Sequence, residues 1–237
     1  MRHPFFDGEL NFTASVPVTG PQTALLVIDM QYHDASPDQG MNLAVERLAP
    51  GSLDYFNKRV EASVIPEIAA LLAVFRSRAM PVVYLTVGSH DRQLRDMPSR
   101  IRAFVRDMEE RSGVADVFWS GNPAFAIRSE IAPLPSELVI NKTTWGAFTS
   151  SPIDALLRDR GIRNLVIAGV SSSACVETTA RQAGDLGYAC ALVDAAMADY
   201  DEESHMAVLR AFHFNYGRVV LDAAELESVI DGDGVIA

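Results

Sequence analysis

The chain has 237 residues, 49% of them hydrophobic, with 20 basic against 31 acidic side chains and a formal charge of −11. That size and apolar content predict one domain over 1–237 with a large core, and the acidic balance argues against nucleic acid or an anionic membrane as partner. No apolar run approaches the ~18 residues of a membrane span, and the opening Met1-Arg2-His3-Pro4-Phe5-Phe6-Asp7 lacks a long apolar leader segment. Two cysteines, Cys175 and Cys190, make no disulfide framework, so a reducing cytoplasm is expected.

Residues 1–20 read as an N-terminal arm. The first apolar run is Ala24–Ile28, followed by a long, partly polar segment from Tyr32 to Phe56 that contains Pro37, Gly40, Pro50 and Gly51. A helical pattern covers Asn57–Ala79, an apolar run Val82–Thr86 and a second helix Ser99–Arg111. The stretch Gly113–Pro135, rich in proline and aromatic residues, predicts a mixture of turn, short strand and short helix. After it come a run at Glu137–Ile140, a helix at Ser151–Arg160 and a run at Leu165–Ala168. A helix at Ala174–Leu186, a run at Ala189–Val193, a helix at Glu202–Phe212 and a run at Arg218–Leu221 complete the series. Ser151 as N-cap with Pro152 behind it predicts a helix start, and Gly161 and Gly187 stand where helix C-caps belong. Continuous Val/Ile/Leu runs suit parallel strands covered on both faces, and strand–helix alternation predicts a doubly wound α/β sheet of about six mainly parallel strands. The segments 32–56 and 113–135 follow strand ends or join elements, so they are expected to form variable substrate or oligomer segments.

Three polar residues stand at or just past strand ends. Asp29 follows Leu25-Leu26-Val27-Ile28, Lys142 follows Leu138-Val139-Ile140-Asn141, and Cys175 follows Leu165–Gly169 and a short turn. In a parallel sheet these ends open onto one edge, where such folds bind ligands. The chemistry is coherent. A thiol is a weak nucleophile until deprotonated, a carboxylate can accept its proton, and a lysine can stabilise the anion. Cys175 is also predicted in the first turn of a helix, where free N–H groups and the dipole favour a thiolate.

The segments Ala24-Leu25-Leu26-Val27-Ile28-Asp29-Met30-Gln31, Ile140-Asn141-Lys142-Thr143-Thr144-Trp145-Gly146-Ala147-Phe148, Leu156-Leu157-Arg158-Asp159-Arg160-Gly161-Ile162 and Gly169-Val170-Ser171-Ser172-Ser173-Ala174-Cys175-Val176-Glu177-Thr178-Thr179-Ala180 occur in this order. Together they resemble the cysteine hydrolases of the isochorismatase-like superfamily, over about Thr23 to Val220. The resemblance implies a Rossmann-like sheet and a catalytic triad that here would be Asp29, Lys142 and Cys175. It also implies a non-proline cis peptide at Val170–Ser171, with the N–H groups of Ala174 and Cys175 turned toward an oxyanion. Hydrolysis of a small amide, ureide or carbamoyl compound through a thioester-type intermediate is the activity implied, and a dimer or tetramer the assembly. The alternatives are vinyl-ether hydrolysis of the isochorismatase type, which needs no cysteine nucleophile, and a non-catalytic binding protein on the same fold.

Other candidates carry two readings each. Gln31 faces a pocket or is a surface amide. Trp145 and Phe148 line a pocket or pack beneath the Lys142 loop. His213, beside Asn215 and Tyr216, reaches the site or belongs to the region before the last strand. His3, His33, His90, His205 and His213 form no HxH or HExxH spacing. Nicotinamidases of the superfamily hold a metal through an Asp-x-His element that is absent at His90-Asp91, so no metal is expected. His90 with Arg92 and Arg95 helps recognise a carboxylate or forms a solvated loop. Neither G-x-G-x-x-G nor G-x-S-x-G occurs, so no nucleotide cofactor and no α/β-hydrolase elbow are expected, and the substrate itself is left open.

Overall fold

All six apolar runs become strands of one sheet in a computed structural model that describes residues 15–237. Two short strands lie outside that sheet: β1 (Val16–Pro17) and β8 (Val235–Ile236) pair antiparallel. The expected N-terminal arm is thus tied in part to the last strand. Residues 1–14, with His3 and the opening read for a leader, lie outside the described residues.

The main sheet comprises β2 (Thr23–Ile28), β3 (Val82–Val87), β4 (Leu138–Lys142), β5 (Asn164–Val170), β6 (Ala189–Ala198) and β7 (Gly217–Val220). Their order is β4-β3-β2-β5-β6-β7 and every pairing is parallel. Every residue of β2, β3 and β5 is buried, which is why these strands read as unbroken apolar runs. Alternate side chains still separate by face. Leu25, Val27, Val82, Tyr84, Val166 and Ala168 enter one core, and Ala24, Leu26, Ile28, Val83, Leu85, Leu165 and Ile167 enter the other.

Before β4 the chain forms α1 (Tyr32–Ala35), α2 (Gly40–Leu48), α3 (Asp54–Arg59), α4 (Ile65–Ser77) and α5 (Ser99–Ser112). After it come α6 (Ala147–Ser150), α7 (Ile153–Asp159), α8 (Glu177–Asp185), α9 (Glu202–Asn215) and α10 (Ala223–Asp231). Helices α3, α4 and α10 cover the first face, through residues such as Phe56, Ile68, Phe75 and Leu226. Helices α7, α8 and α9 cover the second, through Leu157, Ala180 and Phe212. A π-helical turn, Val60–Val64, joins α3 to α4 just ahead of Pro66, which has no N–H to donate to the preceding turn.

Several expectations shift. The segment 32–56 is mostly helical, because Met41 and Ala44 of α2 share a third apolar cluster with Ile101, Val105 and Met108 of α5. Within 113–135, two 3-10 turns form, Pro123–Phe125 and Ser129–Ile131, the first capped by the Asn122 side chain. Ser151 is not the cap of α7: the helix follows Pro152, and the Ser151 hydroxyl donates to the Ala147 carbonyl at 2.8 Å. Gly161 and Gly187 do adopt left-handed backbone just past α7 and α8. No helix among the described residues is long and apolar enough to cross a membrane.

Candidate active site

Strand order reverses direction at β2, with β3 and β4 on one side and β5 to β7 on the other. The crevice beyond the carboxyl ends of β2 and β5 is therefore where this architecture binds ligands. Asp29 is the first residue after β2 and has φ of +53°, a left-handed conformation that aspartate tolerates better than most side chains. Its N–H donates to the Leu85 carbonyl at 2.9 Å, which fixes the turn. Across the crevice, Gly169 stands opposite Ile28 with φ of +122°. A Cβ there would fall 2.1 Å from the Ile28 carbonyl oxygen, so glycine alone lets β5 approach β2 this closely.

Lys142 closes β4, two strands from β2 and so about 9–10 Å away at ordinary strand spacing. Only a long side chain spans that gap. Its Nζ donates to Asp29 Oδ2 at 2.8 Å and to the Thr144 carbonyl at 3.2 Å. Asp29 and Lys142 are 1% and 0% exposed, so the ion pair is fully desolvated. The second carboxylate oxygen, Oδ1, is buried and has no hydrogen-bond partner among the described residues.

Cys175 arrives from β5 through the Val170–Ser171 peptide, which is cis, and a π-helical turn over Ser172–Val176. Helix α8 begins at Glu177, but the π-helical turn runs into it without a break in helical backbone, so the cysteine lies in the first turn of the combined helix, which is π rather than α. This turn is held from beneath: Asp199, at the end of β6, accepts the Ser173 N–H at 2.7 Å and the Ser173 hydroxyl at 3.0 Å. The Ala174 N–H donates to the Ser171 carbonyl at 3.2 Å.

Electrostatics correct one expectation. Burial, followed by the Asp29 charge, pushes the Cys175 thiol well above its ordinary 9.0, and Lys142 only partly opposes this. Desolvation thus outweighs the helix-end contribution and favours the neutral thiol at rest. Burial also raises the Asp29 pKa, against the pull of Lys142, and the neighbouring Asp34 charge adds to the rise. Burial disfavours the Lys142 ammonium, yet the Asp29 charge and the hydrogen bond to it leave the Lys142 pKa raised. The balance of burial and charge thus favours a cation at Lys142, raises the proton affinity of Asp29 above that of an ordinary aspartate, and favours a protonated Cys175.

Cys175 faces a cavity of about 130 Å³, walled also by Asp34, Met41, Phe104, Phe118, Trp145, Val170, Ser171, Ala174 and Tyr200. Of the sequence candidates, Trp145, Val170, Ser171 and Ala174 are in this wall, and Gln31, Phe148 and His213 are not. Gln31 is a buried cross-link: it donates to the Phe125 carbonyl at 2.8 Å and accepts the Val87 N–H at 2.7 Å. Phe148 packs on Tyr188 with ring centroids 5.8 Å apart, against the second core. His213 sits in the last turn of α9, where burial and Arg218 lower its pKa.

Beside His90 both arginines are engaged by carboxylates of the chain itself, Arg92 with Asp116 at 2.6 Å and Arg95 with Asp91. His90 Nε2 instead lies 3.3 Å from the Asn141 amide nitrogen. Among the described residues, no three His, Cys, Asp or Glu side chains gather to share a metal ion. Sequence reasoning missed Asp34, Phe104, Phe118 and Tyr200. Tyr200 was the most findable, because it follows the carboxyl end of β6, where the argument that found Asp29 applies equally.

Comparison with known proteins follows this geometry. Residues 23–225 match the isochorismatase domain. The ureidoacrylate amidohydrolase RutB of Caulobacter segnis is 33% identical over 181 residues, covering 73% of this chain and 71% of that protein. Its counterpart from Stutzerimonas stutzeri is 29% identical over 205 residues, covering 84% and 79%. Among solved structures, a cysteine hydrolase from Pseudomonas syringae superposes with a TM-score of 0.72 at 20% identity, covering 92% of this chain and 99% of that one. N-carbamoylsarcosine amidase from Thermoplasma acidophilum gives 0.59 at 23% identity, covering 87% and 99%. These two likenesses show the same α/β fold. With the domain match spanning most of its length, the chain belongs to the isochorismatase family.

Proposed function

We propose that the chain is a cysteine-dependent amidohydrolase that cleaves a C–N bond of a small linear amide, ureide or carbamoyl compound. The observation that carries this reading is the unpartnered Oδ1 of Asp29, on a carboxylate fixed by Lys142 and coupled to the thiol that lines the cavity. An amidohydrolase and an amidase among the relatives support the same class of reaction.

Cys175 Sγ attacks the carbonyl carbon while its proton passes to Asp29, whose raised pKa matches a base that must later act as acid. Lys142 stays protonated throughout and limits the cost of charge beside it. The tetrahedral oxyanion is received by backbone N–H groups of the nucleophile turn. The Ala174 N–H also donates to the Ser171 carbonyl at 3.2 Å, so it would be shared between that carbonyl and the oxyanion. Asp29 then protonates the departing nitrogen, the C–N bond breaks, and ammonia or an amine leaves a thioester or thiocarbamate on Cys175. Water, giving its proton to Asp29, attacks that carbonyl, and the acid departs as the proton returns to sulfur. Resemblance to the superfamily leads us to expect a dimer or tetramer, and the lack of a disulfide framework a cytoplasmic location, checked by light scattering and cell fractionation.

The test is ammonia release from a panel of small amides, ureides and carbamoyl compounds, with Cys175→Ala run alongside. Turnover that disappears in the variant supports the reading. Turnover of a vinyl ether that persists in the variant would replace it with isochorismatase-type chemistry.

A further inference from the structure

One charged side chain in the cavity wall has no place in the steps above. Asp34 lies in α1, five residues beyond Asp29, and is 7% exposed. The described wall holds no arginine, lysine or histidine, and four aromatic side chains, Phe104, Phe118, Trp145 and Tyr200, share it with this carboxylate. Asp34 has one ionic neighbour among the described residues, His33 Nδ1 at 3.3 Å from Oδ1. That approach is not a hydrogen bond, since His33 Nδ1 has no hydrogen-bond partner, while Nε2 meets the Val87 carbonyl at 3.2 Å.

The backbone carrying Asp34 is pinned independently of its carboxylate. Asn42 Nδ2 donates to the Asp34 carbonyl at 3.2 Å, Arg128 donates to the Ala35 carbonyl, and Gln31 is fixed at both ends of its amide. The side chain does not cap α1, whose N-cap is Gln31. A carboxylate held this way, nine-tenths buried and facing a cavity, is costly to maintain and is relieved by a cation. Aromatic faces around a carboxylate add to the attraction for a positive group.

We propose that Asp34 is a specificity-determining residue that receives a cationic group, an alkylammonium or amidinium, on a small amide substrate. The inference rests on the amidohydrolase reading for its reactive end, and on Asp34 for the other. A cavity of about 130 Å³ is well below the 300–1,000 Å³ usual for drug-sized ligands, which limits the substrate to a few heavy atoms beyond the amide. An anionic substrate, such as an N-carbamoyl acid, would place its carboxylate beside Asp34, and the described wall has no cation to meet it.

The test titrates Cys175→Ala protein with three matched amides by calorimetry: 4-aminobutanamide, its neutral isostere pentanamide, and succinamate. The cation should bind at least about tenfold more tightly than the neutral amide, and the anion most weakly. Asp34→Asn in the same background should bring the cation down to the neutral amide, whereas Asp34→Glu should keep the preference. Equal affinities, tightest binding of the anion, a preference that survives Asp34→Asn, or no measurable binding of any of the three overturns the proposal. Ammonia release by the native protein separates the two readings. Selective cation binding without hydrolysis of any panel amide leaves Asp34 in place and removes the amidohydrolase reading. Hydrolysis with preference for the anion does the reverse.

Discussion

Two buried polar groupings engage the same turn, Ser172–Val176, and only one of them opens onto the cavity. Cys175 meets Asp29 and Lys142. Ser172 meets a second chain: its hydroxyl lies 2.8 Å from His205 Nδ1, and His205 Nε2 lies 2.8 Å from Asp194 Oδ1. With the ring proton on Nε2, facing the Asp194 carboxylate, Nδ1 accepts from serine, the connectivity that serine hydrolases use. Yet Ser172 is 0% exposed and forms no part of the cavity wall, whereas Cys175 does. The carboxylates differ as well. Burial works against an ionised Asp194, but His205 and Arg59, whose Nη2 donates to it at 2.7 Å, hold its pKa below the ordinary value. Asp29 is raised and keeps an oxygen without a partner. A hydrolytic site needs a nucleophile facing space and a base with room for a proton; the second grouping has neither and is a tether.

Deleting each nucleophile breaks the comparison most sharply. Cys175→Ala should lower amide turnover by at least roughly 10³-fold with the fold intact. Ser172→Ala should retain turnover within about tenfold, since it touches the reaction only through the turn. A loss of equal size in steady-state ammonia release would make the tether part of the chemistry.

Next in size is the cation. Lys142→Met leaves the Asp29 carboxylate buried and unpaired, which should destabilise the protein by about 3–5 kcal/mol in urea unfolding. Adding Asp29→Asn should recover part of that loss, because the two residues are coupled. The tether is less exacting. Ser172→Ala strands His205 Nδ1 without a donor and should cost about 1–3 kcal/mol in the same assay. Additive losses for Lys142 and Asp29 would mean that their ion pair contributes nothing to the fold.

The difference between these regions also marks what the sequence reveals. Asp29, Lys142 and Cys175 are legible because each follows an apolar run, and a parallel sheet delivers such residues to one edge. The six strands are legible for the same reason. Their ends are less so: β6 continues to Ala198 because a register shift against β5 carries the chain past Asp194, which reads as a break. His205 and Asp194 are eleven residues apart and meet only because α9 folds back over β6. Asp34 hides in a one-turn helix too short to show a period, within a segment that reads as loop until α2 packs on α5. Gln31 looks like a pocket residue beside Asp29, but the next strand's backbone consumes its amide.

Proton affinity offers the smallest effect and the finest discrimination. Asp29 must be ionised to accept the thiol proton, so kcat/KM should rise with pH through a midpoint above the ordinary 3.8. The Cys175 thiol should resist iodoacetamide at neutral pH, with alkylation half-maximal above 9.0. Because the Asp29 charge is one cause of that elevation, Asp29→Asn should move the alkylation midpoint down, and Lys142→Met should move it up. Ser172→Ala should move neither midpoint, since Asp194 is held in its ionised form by His205 and Arg59 and does not enter the titration of Cys175. A native alkylation midpoint below neutral pH would mean that the helix-end field outweighs burial, and the resting nucleophile would then be a thiolate with Asp29 confined to protonating the leaving nitrogen.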